Sequence, residues 1–222
     1  AVYPNVRTLK LDSPFDYRSK ARLILPPMKS DPTEAKAHTN EIAGILPKLL
    51  NTRGSLVLFA SGRQMREVHD LLTEDMRVQI LMQGQMPKKE MIARHKATID
   101  QGGSSILFGL SSFAEGVDLP GEYCTSLVIA KLPFSVPDSP LAEARAEWIT
   151  SLGRSPFVEI ALPEASVRLQ QAVGRLLRTG DDYGTVTILD RRITTKRWGS
   201  ILMKGLPDFA VLAGKAANDA VE

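Results

Sequence analysis

The sequence contains one cysteine, Cys124, in 222 residues. A single cysteine excludes a disulfide framework, a four-cysteine zinc site and a cysteine-ligated iron–sulfur cluster within this chain. The three histidines, His38, His69 and His95, do not have the spacing of a metal site. We predict no metal site, with Cys124 and His95 packed in the core and His38 and His69 at the surface.

Long apolar runs and strong charge are also missing. No run approaches the ~20 apolar residues that a membrane-spanning helix needs, so we expect no membrane contact. A formal net charge of +3 is too small to indicate a nucleic-acid partner by itself, and any basic surface must be local. The chain shows no signal peptide and no initiator methionine, so we expect a soluble intracellular protein and a fragment of a longer one.

Three catalytic motifs are absent: the phosphate loop G-x-x-x-x-G-K-[ST], the nucleophile elbow G-x-S-x-G and the zinc motif H-E-x-x-H. Residues 185–190, TVTILD, have the pattern of a strand that ends in a magnesium-binding aspartate. Such an aspartate needs a partner phosphate loop, so we interpret Asp190 as a structural residue or the partner of an arginine. Without a phosphate loop, this chain cannot bind and cleave ATP unaided by the usual route.

The sequence does contain a repeated alternation of short apolar runs with helical patterns. Strands are predicted at residues 56–59, 78–82, 106–110, 127–130 and 185–189, and helices at 64–74, 88–100 and 140–150. Unbroken apolar strands that alternate with helices are typical of an α/β fold with a parallel sheet covered on both faces. Two strand-like pieces, 7–11 and 21–25, precede a helix that Asp31 is expected to cap and Pro47 to kink or end.

Residues 168–178, RLQQAVGRLLR, have the period of an amphipathic helix. One face carries four residues at i, i+3, i+4 and i+7: Gln171, Gly174, Arg175 and Arg178. The opposite face carries apolar residues that we expect to be buried: Leu169, Val173, Leu176 and Leu177. A guanidinium is a planar fork of donors that matches phosphate oxygens, and a glycine between two of them lets a ligand approach the backbone. Gly180 is the predicted helix cap.

Small, polar and basic residues follow each predicted strand. The carboxyl ends of parallel strands lie at one edge of a sheet, where ligands of open α/β folds bind. Six side chains at these positions are candidates for contact with a nucleic-acid backbone: Ser61, Arg63, Gln83, Ser111, Ser112 and Lys131. Ordinary loops are also rich in serine and glycine, so composition alone leaves both interpretations open.

Five segments carry a resemblance to a known family. QAVGRLLR at 171–178 resembles motif VI of superfamily 2 helicases, Q-x-x-G-R-x-x-R. LDSPF at 11–15, LVLFASGRQM at 56–65, SSFAEGVDLPGE at 111–122 and TVTILDRR at 185–192 resemble the second motor domain of DinG-type bacterial DNA helicases, relatives of the XPD group. The resemblance implies a RecA-like helicase domain at 31–207. Residues 1–30 would be a lead-in from a first motor domain outside this chain. The composition of residues 208–222 predicts a flexible tail.

The resemblance also implies roles for the nucleotide-site residues. Arg175 and Arg178 would reach across a cleft to the γ-phosphate of ATP, with Gln171 beside them. A first motor domain outside this chain would supply the phosphate-loop lysine, the magnesium carboxylate and an iron–sulfur cluster. ATP and Mg²⁺ would be shared between the two domains, so this chain alone would be inactive.

The loop at residues 115–118 matches the family's motif V. The resemblance implies that Glu115, Gly116 and Asp118, together with Gly174, contact the nucleotide, and that the loop also touches DNA. Gly116 is expected to need a positive φ or a close approach.

The partners implied are the first motor domain of the same polypeptide and single-stranded or forked DNA. Loops near Arg63, Ser112 and Lys131 would grip the strand during 5′ to 3′ movement. The complete enzyme would be cytoplasmic and nucleoid-associated.

Two other functions stay open. The first is a RecA-like module that holds nucleic acid or a protein and has no motor activity. Whether the gene continues upstream into a phosphate loop distinguishes it from a motor domain. An unrelated α/β enzyme that acts on a small phosphorylated metabolite through Arg175 and Arg178 predicts a closed pocket within one domain. The motor predicts arginines on an open face.

Overall fold

Short buried strands form the centre of the molecule. The computed structural model describes residues 15–135 and 139–220. Within these residues seven strands form one sheet: β1 Ala21–Leu25, β2 Gly54–Phe59, β3 Ile80–Met82, β4 Ser105–Leu110, β5 Ser126–Ile129, β6 Gly184–Ile188 and β7 Ala210–Ala213. Their order is β3-β4-β2-β5-β6-β1-β7, and each adjacent pair is parallel. The predicted α/β class with a parallel sheet is confirmed.

Helices connect the strands and cover the sheet. They are α1 Tyr17–Lys20, α2 Ala35–Leu49, α3 Gly62–Leu71, α4 Glu74–Arg77, α5 Lys88–Asp100, α6 Pro140–Ser151, α7 Leu162–Val173, α8 Arg192–Thr195, α9 Gly199–Gly205 and α10 Lys215–Asp219. Short 3-10 turns span Ser111–Ala114 and Gly121–Tyr123, and a π-helical turn spans Phe157–Ala161. Among the described helices, none has the length and apolar character needed to cross a bilayer.

Alternate residues of β2 show how the core is divided into two layers. Leu56 and Leu58 pack into the apolar cluster formed with α5, α7 and α9. Val57 and Phe59 pack into the cluster formed with α2, α3 and α10. All four side chains are buried, and an apolar run without polar interruption is what a strand covered on both faces requires. The predicted coverage of both faces is therefore confirmed.

The sheet extends beyond both predicted boundaries of the domain, residues 31 and 207. β1 pairs with β6 on one side and with β7 on the other. Residues 21–25 of the predicted lead-in and residues 210–213 of the predicted tail therefore belong to the sheet, which corrects both boundaries. The small residues of β7 give a weak strand signal, and pairing with β1 decides their conformation. The predicted strand at 7–11 and residues 11–14 of the LDSPF segment lie outside the described residues.

The start of α2 differs from the prediction. The carboxylate of Asp31 accepts hydrogen bonds from the N–H and the hydroxyl of Thr33, at 3.0 and 2.7 Å, and forms a turn instead of a cap. α2 begins at Ala35, so the predicted cap at Asp31 is wrong. Pro47 lies in the last turn of α2, which ends two residues later.

His38 is fully buried, contrary to the prediction. Its Nε2 lies 2.7 Å from the carbonyl oxygen of Leu189, and its Nδ1 lies 3.2 Å from the amide nitrogen of Gln64. These partners assign the proton to Nε2 and make Nδ1 the acceptor. Burial lowers the pKa of His38, which favours the neutral ring. His95 and Cys124 are buried, as predicted.

Candidate functional site

The two arginines of the motif lie just beyond the end of α7. The helix ends one residue before Gly174, which caps it, so the predicted continuation to residue 178 and the predicted cap at Gly180 are both wrong. The backbone N–H groups of Arg178 and Thr179 donate to the carboxylate of Asp182 at 2.5 and 2.8 Å. Hydrogen bonds to a carboxylate are stronger than those between neutral groups. The helix first tightens, as Arg175 and Leu176 donate to the carbonyls three residues earlier, and the bonds to Asp182 then keep it from resuming.

The apolar half of the motif is packed as predicted. Four side chains are at most 1% exposed: Leu169, Val173, Leu176 and Leu177. They anchor the end of α7 and the following turn to the core. Because this segment is fixed on its apolar side, the polar side chains of the motif are held at the surface of the sheet edge.

A cavity of about 450 Å³ opens at the carboxyl ends of β4 and β5, against the second half of α7. Five of the predicted site residues line it: Ser111, Ser112, Glu115, Gln171 and Arg175. We call this space the Arg175 cavity. Gly174 is half-buried and ends the helix without lining the cavity. The structure therefore places residues from the predicted DNA set and the predicted nucleotide set around one space.

The guanidinium of Arg175 is incompletely satisfied. Its Nη1 donates a long hydrogen bond of 3.4 Å to the carbonyl of Val117, and its Nε is buried without a hydrogen-bond partner among the described residues. Burial lowers the pKa of Arg175, and the charge of Arg178 acts in the same direction. A guanidinium nevertheless stays protonated at neutral pH. Because a buried charged donor without an acceptor is costly, Arg175 is suited to an incoming anion.

Arg178 has a partner on the 115–118 loop. Its Nε donates to a carboxylate oxygen of Asp118 at 2.9 Å. The Arg178 side chain is 36% exposed and that of Asp118 is 64% exposed. Exposed ion pairs of this kind contribute only about 0–1 kcal/mol because solvent screens them. An anionic ligand can therefore replace Asp118 at small cost.

Lys88 holds the 115–118 loop in place and was not predicted as a site residue. Its Nζ donates to the carbonyls of Phe113, at 2.7 Å, and Glu115, and lies 5.0 Å from the centroid of the Phe113 ring. Burial lowers the pKa of Lys88, as does the neighbouring charge of Arg175. Gly116 adopts the expected positive φ, at 70°. A lysine at the first residue of a helix gives no sequence signal for this contact.

Asp182 is the second residue that the sequence did not reveal. It is 2% exposed, and its carboxylate accepts hydrogen bonds from the N–H groups of Gly121, Arg178 and Thr179 and from the Thr179 hydroxyl. Burial by itself raises the pKa of Asp182, but these hydrogen bonds outweigh it and the pKa is lowered. The sequence indicated only a turn here.

The six predicted nucleic-acid contacts differ in exposure and in hydrogen bonding. Five use side-chain polar atoms in hydrogen bonds within the protein: Ser61, Arg63, Gln83, Ser111 and Lys131. Three are exposed at the surface: Ser61, Arg63 and Ser112. The Arg63 side chain is 85% exposed and pairs with Glu67 at 2.7 Å.

A second cavity, of about 840 Å³, lies between α2 and α3. Its charged and amide lining is mixed: Lys36, Arg63 and Lys131 are basic, Asn40 and Gln64 carry amides, and Glu67 and Asp70 are acidic. Ala60 and Phe134 line both cavities, so the two spaces adjoin. Lys36 and Asn40 lie within α2 and were not predicted, because they do not follow a strand.

Asp190 is buried and forms an ion pair with Arg192 at 2.7 Å. It also accepts the N–H of Leu132 at 3.0 Å. The interpretation of Asp190 as a structural partner of an arginine is confirmed. In the ranges 15–135 and 139–220, no group of three or more histidine, cysteine or acidic side chains is arranged to hold a metal ion.

Comparison with known proteins finds relatives that match most of the chain. A family model described as the helicase C-terminal domain matches residues 48–209. The ATP-dependent DNA helicase DinG of Photobacterium profundum is 44% identical over 209 residues, which cover 92% of this chain and 30% of the relative. The DinG helicase of Escherichia coli K12 is 39% identical over 210 residues, covering 92% and 29%. This chain thus spans less than a third of the length of these curated relatives.

Solved structures share the fold at low sequence identity. The structure of S. tokodaii Xpd4 superposes with a TM-score of 0.64 at 16% identity, covering 88% of this chain and 38% of that one. The C-terminal domain of the DEAD-box protein Dbp5 gives a TM-score of 0.55 at 12% identity, covering 91% and 95%. These similarities show a RecA-like helicase fold. With a family model over residues 48–209 and DinG relatives along 92% of its length, the chain belongs to the helicase C-terminal domain family.

Proposed function

We propose that this chain is the second motor domain of an ATP-dependent DNA helicase. In this proposal Arg175 and Arg178 stabilise the transferring γ-phosphoryl of ATP, which is held mainly by a first motor domain. The observation that carries the proposal is the incompletely satisfied guanidinium of Arg175 at the carboxyl edge of the sheet. The curated relatives named ATP-dependent DNA helicases support the substrate class.

Arg175 acts through electrostatics. Charge on the phosphoryl oxygens must be stabilised as the terminal phosphate is transferred, and a guanidinium donates parallel hydrogen bonds to such oxygens. Since Arg175 is already partly desolvated, little solvent has to reorganise at the moment of reaction. Arginines used in this way are worth about 10³–10⁵ in rate, or roughly 4–7 kcal/mol of transition-state stabilisation.

Arg178 acts by exchanging partners. Without nucleotide it pairs with Asp118, and with nucleotide it moves to the γ-phosphate. The exchange is cheap because the pair with Asp118 is exposed. Gln171 lines the Arg175 cavity, and in this proposal it lies beside the phosphate. Loss of the phosphate after hydrolysis returns Arg178 to Asp118 and lets the cleft open.

The 115–118 loop couples the nucleotide to DNA. Arg175 bonds to Val117 and Arg178 to Asp118, so both arginines touch this loop. Ser112 lies in the 3-10 turn Ser111–Ala114, which leads into this loop, and is exposed on the same edge of the sheet. When the arginines exchange these partners for the nucleotide, the loop loses two of its contacts. The position of the loop then changes, and so do its contacts with a single strand of DNA.

The DNA strand runs along the edge of the sheet that carries both cavities. Lys36 and Arg63 are exposed cations of the second cavity, and the half-buried Lys131 also lines it. Basic groups of this kind neutralise phosphates without reading the bases. Mg²⁺ and the iron–sulfur cluster implied by the family resemblance are held by the first motor domain in this proposal.

The exposure of Arg178 favours the motor over a metabolite enzyme. A site for a small phosphorylated metabolite needs a pocket that encloses its ligand. Here Arg178 and its partner Asp118 are both open to solvent. Arginines on an open face are what a site completed by a second domain requires.

Steady-state ATP turnover tests the proposal in a polypeptide that joins this chain to a first motor domain. Arg175→Ala and Arg178→Ala are each expected to lower turnover at least about a hundredfold. Arg77→Ala, which removes an exposed arginine of α4 outside both cavities, is the matched control and should leave turnover unchanged. Turnover of both site variants within about threefold of wild type contradicts the proposal, because a finger is worth far more.

A further inference from the structure

The helix α6 is the least covered long helix of the described chain. It has 12 residues, of which only Ile149 is buried. Three apolar side chains on or next to it are strongly exposed: Leu141 at 80%, Trp148 at 60% and Leu152, the residue that caps the helix, at 50%. Spacings of seven and four residues place these three on one face of the helix. Single exposed apolar residues are ordinary on a protein surface, but several that share one helix face form an apolar stripe typical of a contact surface.

A groove runs beside this stripe. It has a volume of about 590 Å³ and separates α6 from the π-helical turn Phe157–Ala161. Leu141 and Arg145 line it from α6, and Phe157, itself 37% exposed, lines it from the opposite side. Leu141 belongs to both the stripe and the groove, so the two adjoin, and we call them together the α6 surface.

Arg145 gives the α6 surface a charge preference. It lines the groove and forms no ion pair within residues 15–135 and 139–220, whereas the acidic residue of the groove, Glu164, pairs with Arg168 at 3.5 Å. An acidic side chain on an otherwise apolar partner would complement it.

The α6 surface is continuous with the Arg175 cavity. Ser135 and Arg168 line both the groove and that cavity. A partner that closes over Arg175 therefore extends naturally onto α6. The relatives are long enough to contain such a partner, since this chain covers only 30% of the Photobacterium DinG helicase.

We propose that the first motor domain of the same polypeptide docks on the α6 surface, with an apolar patch over Leu141, Trp148 and Leu152 and an acidic group at Arg145. This inference rests on the proposed function, which places that domain across the Arg175 cavity. It adds a permanent contact beside the nucleotide cleft, so that the two domains stay attached when the cleft opens.

Cysteine labelling tests the docking in the two-domain polypeptide without nucleotide. Leu141→Cys reports on the α6 surface, and Val78→Cys is the matched control, because these side chains are 80% and 77% exposed in this chain. Cys124 does not compete, since burial raises its pKa to about 12. Peptide-resolved alkylation rates are normalised to those of the unfolded protein. The rate at position 141 is expected to be at least about tenfold lower than at position 78.

A photo-crosslinker attached at position 141 identifies what covers the surface. The proposal expects crosslinked peptides from the domain that carries the phosphate loop. Equal labelling rates at positions 141 and 78 would overturn it, and so would crosslinks that join two copies of the polypeptide. Neither measurement uses ATP, so failure here leaves the role of Arg175 intact. Conversely, full turnover by Arg175→Ala would remove the proposed function without changing the labelling pattern.

Discussion

The carboxylate of Asp182 accepts the backbone N–H of Arg178 at 2.5 Å. The same carboxylate accepts the N–H of Gly121 at 2.9 Å, and Gly121 follows the 115–118 loop in the chain. One buried side chain therefore ties the segment that carries the arginines to the loop that carries Asp118. Arg178 and Asp118, which form the ion pair described above, are thus positioned by a common anchor.

Replacement of this anchor should destabilise the fold. Asp182→Asn keeps the size of the side chain, but it removes the charge and turns one acceptor into a donor that faces N–H groups. We expect a loss of about 1–3 kcal/mol in the free energy of unfolding, measured by urea titration. Asp181→Asn, at the exposed neighbouring position, is the control and should change it by less than about 0.5 kcal/mol. Equal effects of the two variants would contradict the assignment.

The contribution of Asp182 should depend on pH with a defined sign. Its pKa is lowered in the folded state, so the unfolded carboxylate binds a proton more readily than the folded one. Its stabilisation is therefore complete above the ordinary pKa of about 3.9 and is lost as the pH falls through the folded value. The difference in unfolding free energy between wild type and Asp182→Asn should shrink below pH ~4. A difference that stays constant from pH 7 to pH 3 would show that the charge is not responsible.

Lys88 should affect catalysis through the shape of the 115–118 loop. Lys88→Met removes two charge-assisted hydrogen bonds to loop carbonyls, each worth about 1.5–3 kcal/mol. Even partial loss of this support should lower DNA-stimulated ATP turnover about tenfold. Lys89→Met, which removes an exposed lysine from the same turn, should leave turnover unchanged. Circular dichroism establishes that both variants are folded, and indistinguishable turnover in the two would exclude a positioning role for Lys88.

Arg63 should contribute to DNA binding as a phosphate contact. Its side chain is 85% exposed and, among the described residues, forms an ion pair with Glu67 one turn further along α3. Arg63→Ala should weaken single-stranded DNA binding and reduce the slope of log K against log salt by about 0.7. Arg66→Ala, also exposed on α3 but outside the second cavity, serves as the control. An unchanged salt slope in Arg63→Ala would show that no phosphate is bound there.

The strands and α5 show which parts of the fold follow from local pattern. The predicted helix at 88–100 matches α5 Lys88–Asp100, and the predicted strand at 56–59 lies within β2. Apolar spacing decides these elements because their side chains are buried along one stripe or on both faces. The same spacing placed Arg175 and Gln171 near each other, and both line one cavity.

Contacts between distant residues decide what the pattern missed. The period of residues 168–178 fits a longer helix, but the chain tightens after Val173, and the carboxylate of Asp182 then binds the N–H groups of Arg178 and Thr179. His38 is buried because β6 ends beside α2, which no local signal reports. Residues 210–213 form a strand because β1, nearly 190 residues earlier in the chain, offers them an edge. Lys88 supports the 115–118 loop through two carbonyl partners that are distant in sequence, so no local pattern predicts this role.

Cleavage of ATP in a single turnover separates the chemistry of Arg175 from nucleotide binding. With the two-domain polypeptide in excess over ATP and DNA present, Arg175→Ala should cleave the γ-phosphate at least about 10³-fold more slowly than wild type. Its affinity for a non-hydrolysable ATP analogue should change by less than about tenfold, because the arginine acts mainly in the transition state. Cleavage by Arg175→Ala within about threefold of wild type, at saturating enzyme, would contradict the assignment of Arg175 to the phosphoryl group.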